Sequence, residues 1–279
     1  MSEAKQFITF LYSFYTKNKR DSLPWRKNRN TYHILLSEVM LQQTQVPRVL
    51  VKYKEFLKKF PTVQKLATAP LREVLILWQG LGYNRRAKFL HQAAQQIVKA
   101  QKKYLASYDF LISLPGVGQS TAGAIIAFTQ NTPVVFVETN IRAVLMHHFY
   151  KDTKEKINDQ QIRNILSLLL SLLPKKFSVR DFYYALYDYG TFLKTSLGKF
   201  KKDLHKKSAY YTKQSRFIGS RRQLRAFILK TFLKMNSGLN AKMLSEEVLE
   251  NKPKSLDIYG PNDVKGLILD LQKEGFFLG

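Results

Sequence analysis

The chain has no cysteine in 279 residues. That excludes disulfides, a catalytic thiol, a thiolate zinc site and a cysteine-ligated iron–sulfur cluster. Acidic residues are scarce, 20 Asp and Glu against 46 Lys and Arg, a formal charge of +26. Long apolar runs are missing too. The strongest, Ile165 to Leu173, is interrupted by serines and runs into Pro174, Lys175 and Lys176, well short of the roughly 20 residues a membrane span needs. At the N-terminus Phe7, Leu11 and Phe14 alternate with Lys5, Lys17 and Lys19, an amphipathic pattern and not that of a signal peptide. The expectation is a soluble cytoplasmic protein with no membrane partner, associated with the nucleoid if its polyanion is DNA.

What is present is a core and a field. With 45% hydrophobic and 13% aromatic residues the chain can bury one large domain or two ordinary ones. The positive surplus calls for a polyanion, DNA or RNA before an anionic membrane surface; a merely solvated basic surface fits this magnitude less well. Chemistry is left to carboxylates, hydroxyls, amines and imidazoles. His147 and His148 are adjacent and point to different helix faces, so no metal is assigned.

Helical periodicity dominates and strand alternation is rare. Residues 5–17, 31–44, 45–60, 71–79, 85–103, 107–114, 119–129, 139–150, 158–173 and 178–194 read as helices, an all-α core. The β-branched run Thr132 to Val137 reads as a buried connector between lobes. Lys194 to Arg222 holds ten Lys/Arg against one acid, Asp203, interleaved with Phe200, Tyr210, Tyr211 and Phe217. After it come a helix bearing Leu224, Phe227, Ile228, Phe232 and Met235, a second over Leu239 to Glu250, a third with Val264, Leu267, Ile268 and Leu271, and a short apolar strand at Phe276-Phe277-Leu278. The expected division is a core over 1–215, with a six-helix module at about 31–130 and a second helical module from 1–30 plus 131–215, followed by a winged-helix-like module over 216–279.

Three segments carry chemistry. In Leu114-Pro115-Gly116-Val117-Gly118-Gln119-Ser120 a helix ends, a tight turn follows and a new helix begins; its first N–H groups form an anion site suited to a phosphate, or the turn is simply a helix–helix corner. In Leu36-Ser37-Glu38-Val39-Met40-Leu41-Gln42-Gln43-Thr44, Glu38 sits in an otherwise apolar helix, where burial would raise its pKa and make it a general acid; otherwise it is a surface carboxylate. In Val137-Glu138-Thr139-Asn140, Glu138 starts a helix whose dipole favours its ionised form, and helix capping alone would also account for it. One protonated and one charged carboxyl are what glycosidic-bond cleavage needs.

Ser37 to Val46, Leu77-Trp78-Gln79-Gly80-Leu81-Gly82-Tyr83, the Leu114 to Gly118 turn and Asn140 with its neighbours together resemble the helix-hairpin-helix DNA glycosylases, and within them the MutY-type adenine glycosylases, over about residues 5–194. The resemblance implies two helical modules with the base pocket in the cleft between. Glu38 would protonate the adenine ring through N7, and Glu138 would face the oxocarbenium-like sugar. Asn140 would position the sugar or nucleophile. Trp25, Arg26 and Tyr184 would border the base. Gln42, Gln43, Thr44 and Tyr83 would wedge into the duplex and meet the opposite strand. Leu114, Gly116, Val117, Gly118, Gln119 and Ser120 would hold a DNA phosphate, with room for a monovalent cation at the hairpin. Ser120 stands where strand-nicking relatives place a lysine, which implies base excision with little or no lyase activity.

The sequence departs from the family at several points. Relatives carry Asp where this chain has Glu138, and many place Glu or Gln where it has Tyr184. Lys194, Lys201, Leu204 and Tyr210 occupy the places of the four cluster cysteines, so no cofactor is expected. The basic stretch with Lys199, Lys201, Lys202, Lys206 and Lys207 is expected to take the cluster's place as a phosphate-binding helix, the alternative being a solvated lysine-rich helix. The larger C-terminal domain that reads 8-oxoguanine is replaced by the shorter module. The expected activity is monofunctional removal of a mispaired base, adenine opposite guanine or 8-oxoguanine, by a monomer acting on duplex DNA. The alternatives are a thymine or uracil mismatch glycosylase and a catalytically silent binder of damaged DNA.

Overall fold

Fourteen α-helices and two 3-10 turns form among the described residues of the computed structural model, which are 2–100, 107–153, 155–196, 215–235 and 240–277. They are α1 (Glu3–Asn18), α2 (Thr31–Leu41), α3 (Val46–Lys59), α4 (Val63–Thr68), α5 (Leu71–Trp78), α6 (Arg85–Lys99), α7 (Tyr108–Ser113), α8 (Gln119–Gln130), α9 (Thr139–Phe149), α10 (Asp159–Ser171), α11 (Val179–Ser196), α12 (Arg221–Lys234), α13 (Ala241–Asn251) and α14 (Pro261–Lys273). The expected basic helix around Lys199, Lys201, Lys202, Lys206 and Lys207 lies outside the described residues. None of the described helices is long and apolar enough to cross a membrane.

The helices start where the side chains permit. Thr62, Ser107, Ser220 and Asn240 each accept a hydrogen bond from a first-turn amide, and Asn158 with Gln161 forms a reciprocal capping box on α10. α4, which is absent from the helices expected from the sequence, buries only Val63 and Leu66, a single i, i+3 pair. α2 stops at Leu41, three residues before the expected helix end at 44, because Gln43 turns the chain with φ +56°. Pro47 then sits in the first turn of α3, where its missing N–H costs nothing.

The chain divides into two compact units. The first comprises Met1–Val39 and Lys102–Thr212, so the helices of residues 1–39 and α7 to α11 belong to it. Its centre is aromatic: Phe182 and Tyr183 of α11 are fully buried, Phe136 stacks on Tyr183 at 4.3 Å, and Phe128 stacks on Tyr184 at 4.4 Å. α8 is buried continuously from Ala122 to Phe128. Gly123 admits the extended segment 132–137, since a Cβ there would lie 2.7 Å from Phe136 Cβ. Tyr183 also donates to the Val134 carbonyl at 2.5 Å.

The second unit comprises Met40–Gln101 and Lys213–Gly279. Val49 and Phe56 of α3, Leu66 of α4, Trp78 of α5 and Ala93 of α6 make one buried layer, to which α12 to α14 add Leu224, Ile228, Val248, Val264 and Leu271. The Arg72 guanidinium donates to the carbonyls of Phe232 (3.3 Å) and Leu233 (2.9 Å) at the end of α12. Arg85 of α6 and Arg225 of α12 both grip Glu274. The expected strand at Phe276-Phe277 does not form in the described residues. The two rings are buried instead, Phe277 against Phe232 at 4.3 Å and Phe276 beneath Arg225 at 5.3 Å, so this module is three helices closed by an aromatic plug.

Candidate active site

The site is assembled within the first unit from α2, α8, α9, α11 and the Pro24–Arg26 turn. α2 carries Ile34, Leu35, Leu36, Val39 and Met40 all buried, apolar on every side, which is the pattern of a core helix. Glu38 interrupts it. Neither of its carboxyl oxygens has a hydrogen-bond partner among the described residues, and loss of solvent, reinforced by the charge of Glu138 and opposed by Arg26, pushes its pKa up to about 8.

Glu138 is the N-cap of α9. Its Oε1 accepts the backbone N–H of Asn140 at 2.7 Å and of Ile141 at 2.9 Å, while Oε2 accepts no hydrogen bond among the described residues. Its pKa lies above the ordinary carboxylate value, contrary to the expectation from the helix dipole alone, because burial outweighs the two amides. Those amides, Lys194 and Arg142 pull it back towards the ionised form. Two half-buried carboxyls thus differ by their partners: one has no hydrogen bond among the described residues, and the other is held by a helix start and faces two cations.

The neighbours are fixed by packing. Ser120 Oγ donates to the Val137 carbonyl at 2.7 Å, tying the start of α8 to the residue before Glu138. Arg26 forms a bidentate pair with buried Asp188, both contacts at 2.7 Å, and its guanidinium lies 4.4 Å from the Tyr184 ring centre. Trp25 is buried at 4% exposure. Asn140 packs against α11 where Gly190 stands: a Cβ at 190 would lie 2.7 Å from Asn140 Cβ. Tyr187, which the sequence reading missed, feels both Glu38 and Glu138, and with burial they hold its hydroxyl protonated well above the usual range. Its position three residues after Tyr184 and three before Gly190, on one stripe of α11, was the available signal.

At the hairpin, Gly116 adopts φ +76°, as the turn requires, but Gly118 is at φ −90° and extended. A Cβ at 118 would meet nothing within 4 Å, so neither backbone strain nor internal packing demands glycine there. Leu114 and Val117 are buried and anchor the turn, and Gln119 accepts from Arg163 at 3.1 Å.

The remaining expected residues lie in the second unit. Gln43 and Tyr83 are exposed and hold φ values of +56° and +48°. Arg86 braces their loops, donating to the Met40 carbonyl (3.0 Å), Thr44 Oγ1 (2.9 Å) and the carbonyls of Leu81 and Gly82 (both 3.0 Å). Gln42 is half-buried beside them. No cluster of three or more His, Asp or Glu able to hold a metal is found among the described residues. The donor set at Lys194, Lys201, Leu204 and Tyr210 does not fit an iron–sulfur cluster, since none of the four side chains is a thiol.

Residues 36–170 match the HhH-GPD superfamily of base excision DNA repair proteins. Among curated proteins the chain is similar to adenine DNA glycosylases: 32% identity over 190 residues to that of Buchnera aphidicola subsp. Schizaphis graminum (68% of this chain, 54% of the relative) and 35% over 184 residues to that of Mycobacterium tuberculosis (65% and 60%). This chain is a member of the HhH-GPD superfamily. The human adenine DNA glycosylase is 42% identical over 157 residues, 52% of this chain and 28% of that protein. The chain spans about half the length of the first curated relatives it matches. The HhH-GPD fold is seen again in solved structures: a thermostable thymine-DNA glycosylase superposes with TM-score 0.60 at 23% identity, covering 75% of this chain and 96% of that one, and a non-covalent endonuclease III–DNA complex with TM-score 0.53 at 19% identity, covering 67% and 86%.

Proposed function

We propose that this chain is a monofunctional DNA glycosylase that removes a mispaired base, adenine opposite guanine or 8-oxoguanine, from duplex DNA. The observation that carries the reading is the pairing of Glu38, raised to about 8 and without a hydrogen-bond partner among the described residues, with Glu138, held by two amides and two cations. The adenine glycosylase relatives supply the choice of base.

The chemistry follows from that asymmetry. Protonated Glu38 gives its proton to the adenine ring at N7, which turns the base into a leaving group. The bond from the sugar C1′ to the base breaks and both bonding electrons leave with adenine. The positive charge on the sugar is met by ionised Glu138 through the unengaged Oε2. Water adds to C1′ and gives its proton to the Glu138 carboxylate, which passes it to solvent while Glu38 takes one back from solvent, leaving an abasic site in an intact strand. Ser120, whose hydroxyl is committed to the Val137 carbonyl, offers no amine for a Schiff base.

Trp25, Arg26 and Tyr184 are proposed to border the flipped base. Gln42, Gln43, Thr44 and Tyr83 are proposed to fill the space it leaves, on loops that Arg86 braces. A DNA phosphate, with or without a monovalent cation at the Leu114 to Gly118 turn, is the proposed ligand of the start of α8; the open space at Gly118 gives it close approach.

The test is single-turnover base release on duplexes carrying A opposite 8-oxoguanine, G or C, and T or U opposite G, each resolved with and without alkali. Alkali-dependent cleavage at an adenine mispair, abolished in Glu38→Gln and Glu138→Gln, is expected. Release of T or U instead moves the reading to a different base, and tight binding with no release anywhere replaces it with the silent binder.

A further inference from the structure

Lys194 and Asn140 are 54 residues apart and joined by a hydrogen bond: the ammonium of Lys194, near the end of α11, donates to the Asn140 side-chain oxygen. Gly190, one turn earlier on the same stripe, is what brings the helices close enough, since any Cβ there would strike Asn140. An asparagine amide has one accepting and one donating end, and an ammonium can only donate. Lys194 therefore fixes which way the amide faces, turning its oxygen to α11 and leaving its NH₂ donors directed elsewhere. The same residue's backbone N–H, 2.7 Å from Glu138 Oε1, is half of the grip on that carboxylate.

We propose that Lys194 is a positioning residue of the site, acting through Asn140 and through its charge beside Glu138. This rests on the glycosylase reading for its functional consequence but not for its geometry. The ionisable groups bearing on Glu138 are Glu38 on α2, Arg142 on α9, and Tyr187 and Lys194 on α11. Of the two cations, Arg142 is already bound to Asp159 at 2.7 Å, so part of its charge is neutralised. After the two backbone amides, Lys194 is thus the stronger of the two cations in opposing Glu138's burial.

The test compares Lys194→Met, Lys194→Gln and Lys194→Arg with the parent in two measurements. The first is single-turnover release against pH at saturating protein. Lys194→Met should be slower by tenfold or more with duplex affinity changed less than threefold, and its acid limb should move to higher pH, because losing a cation disfavours the carboxylate. Lys194→Arg should recover most of the rate, and Lys194→Gln, which keeps a donor without the charge, should recover less. The second is the titration of the Glu138 carboxyl in free protein labelled with ¹³C-glutamate, assigned through Glu138→Gln; its midpoint should rise in Lys194→Met.

Parental rate and an unmoved midpoint in Lys194→Met overturn the proposal, as does an equal loss of rate in all three variants with no movement of the midpoint. If the parent releases no base, the glycosylase reading fails by itself, and the titration still decides: a raised midpoint upholds the role of Lys194, and an unmoved one ends it.

Discussion

At the scale of single residues, the behaviour of this protein turns on where one proton resides. Glu38 is placed in a helix that is otherwise core, and its pKa of about 8 means that it holds a proton at neutral pH where an ordinary carboxyl, near 4.5, has lost it. Single-turnover base release should therefore be level between the acid limb set by Glu138 and about pH 8, and fall about tenfold per pH unit above that. The same proton acts on stability. A raised folded-state pKa contributes stability that is full below the unfolded value and lost as pH rises through about 8. Glu38→Gln, which has no such proton to lose, should consequently gain about 2–3 kcal/mol on the parent between pH 6 and pH 8.5, the roughly two pH units from 6 to about 8 at about 1.4 kcal/mol each. Urea midpoints of both proteins at pH 6 and pH 8.5 check this, and equal midpoints at both values would contradict the placement of Glu38.

At the scale of elements, the positions that matter are those where one element lets another approach. Gly123 seats the segment before Glu138 on α8, with Phe136 Cβ where a methyl would go. Gly123→Ala should destabilise by roughly 1–3 kcal/mol, as overpacking of a closed core does, and a fall in Tm measures it. In the second unit, Glu274 links α6 to α12 through Arg85 and Arg225. The hydrogen bond from Arg85, then that from Arg225 with the charges of both, holds its carboxyl down at about 2 against the effect of burial. A depressed pKa contributes stability that is present above about 4.5 and lost as pH falls through about 2. Glu274→Gln should cost on the order of 1–2 kcal/mol at pH 7 after allowance for the exposure of Arg85, and the difference should vanish in acid. Thermal unfolding at pH 7 and pH 2 reads both halves of that expectation.

At the scale of the whole molecule, a charge of +26 should dominate binding to DNA. Each phosphate neutralised contributes about −0.9 to the slope of log K against log salt. A titration of duplex affinity between low and physiological salt should give a steep negative slope. Replacing Lys199, Lys201, Lys202, Lys206 and Lys207 by Gln should flatten it by about the number of phosphates they contact, and a flat response in the parent would remove the electrostatic account.

The amphipathic periods of α1, α3, α6, α10 and α14 could be read from the sequence because each buries one face, and the burial pattern is the signal itself. Glu38, Glu138 and the Leu114 to Gly118 turn were legible because each breaks its local rule: a carboxylate in a core helix, another at a helix start, glycines where a helix must reverse. α4 was not legible from its single buried pair, Val63 and Leu66, and Phe276-Phe277 read as a strand because an apolar pair carries the same pattern whether it extends or plugs a core. Tyr187 and Lys194 were hidden for a different reason. On their own helix they are an aromatic and a lysine like many others, and only the approach of α9 at Gly190 gives them the carboxylates and the asparagine as neighbours.

By itself, the sequence determined the helical class, the absence of cysteine, the charge of +26 and the two carboxylates, all properties of composition or of spacing along one element. The tertiary structure alone decided which partners set each carboxyl's hold on its proton. Desolvation and opposing charge come from side chains brought together across 100 residues of chain between Glu38 and Glu138, and a pKa is set by distance in space, which spacing in sequence does not fix.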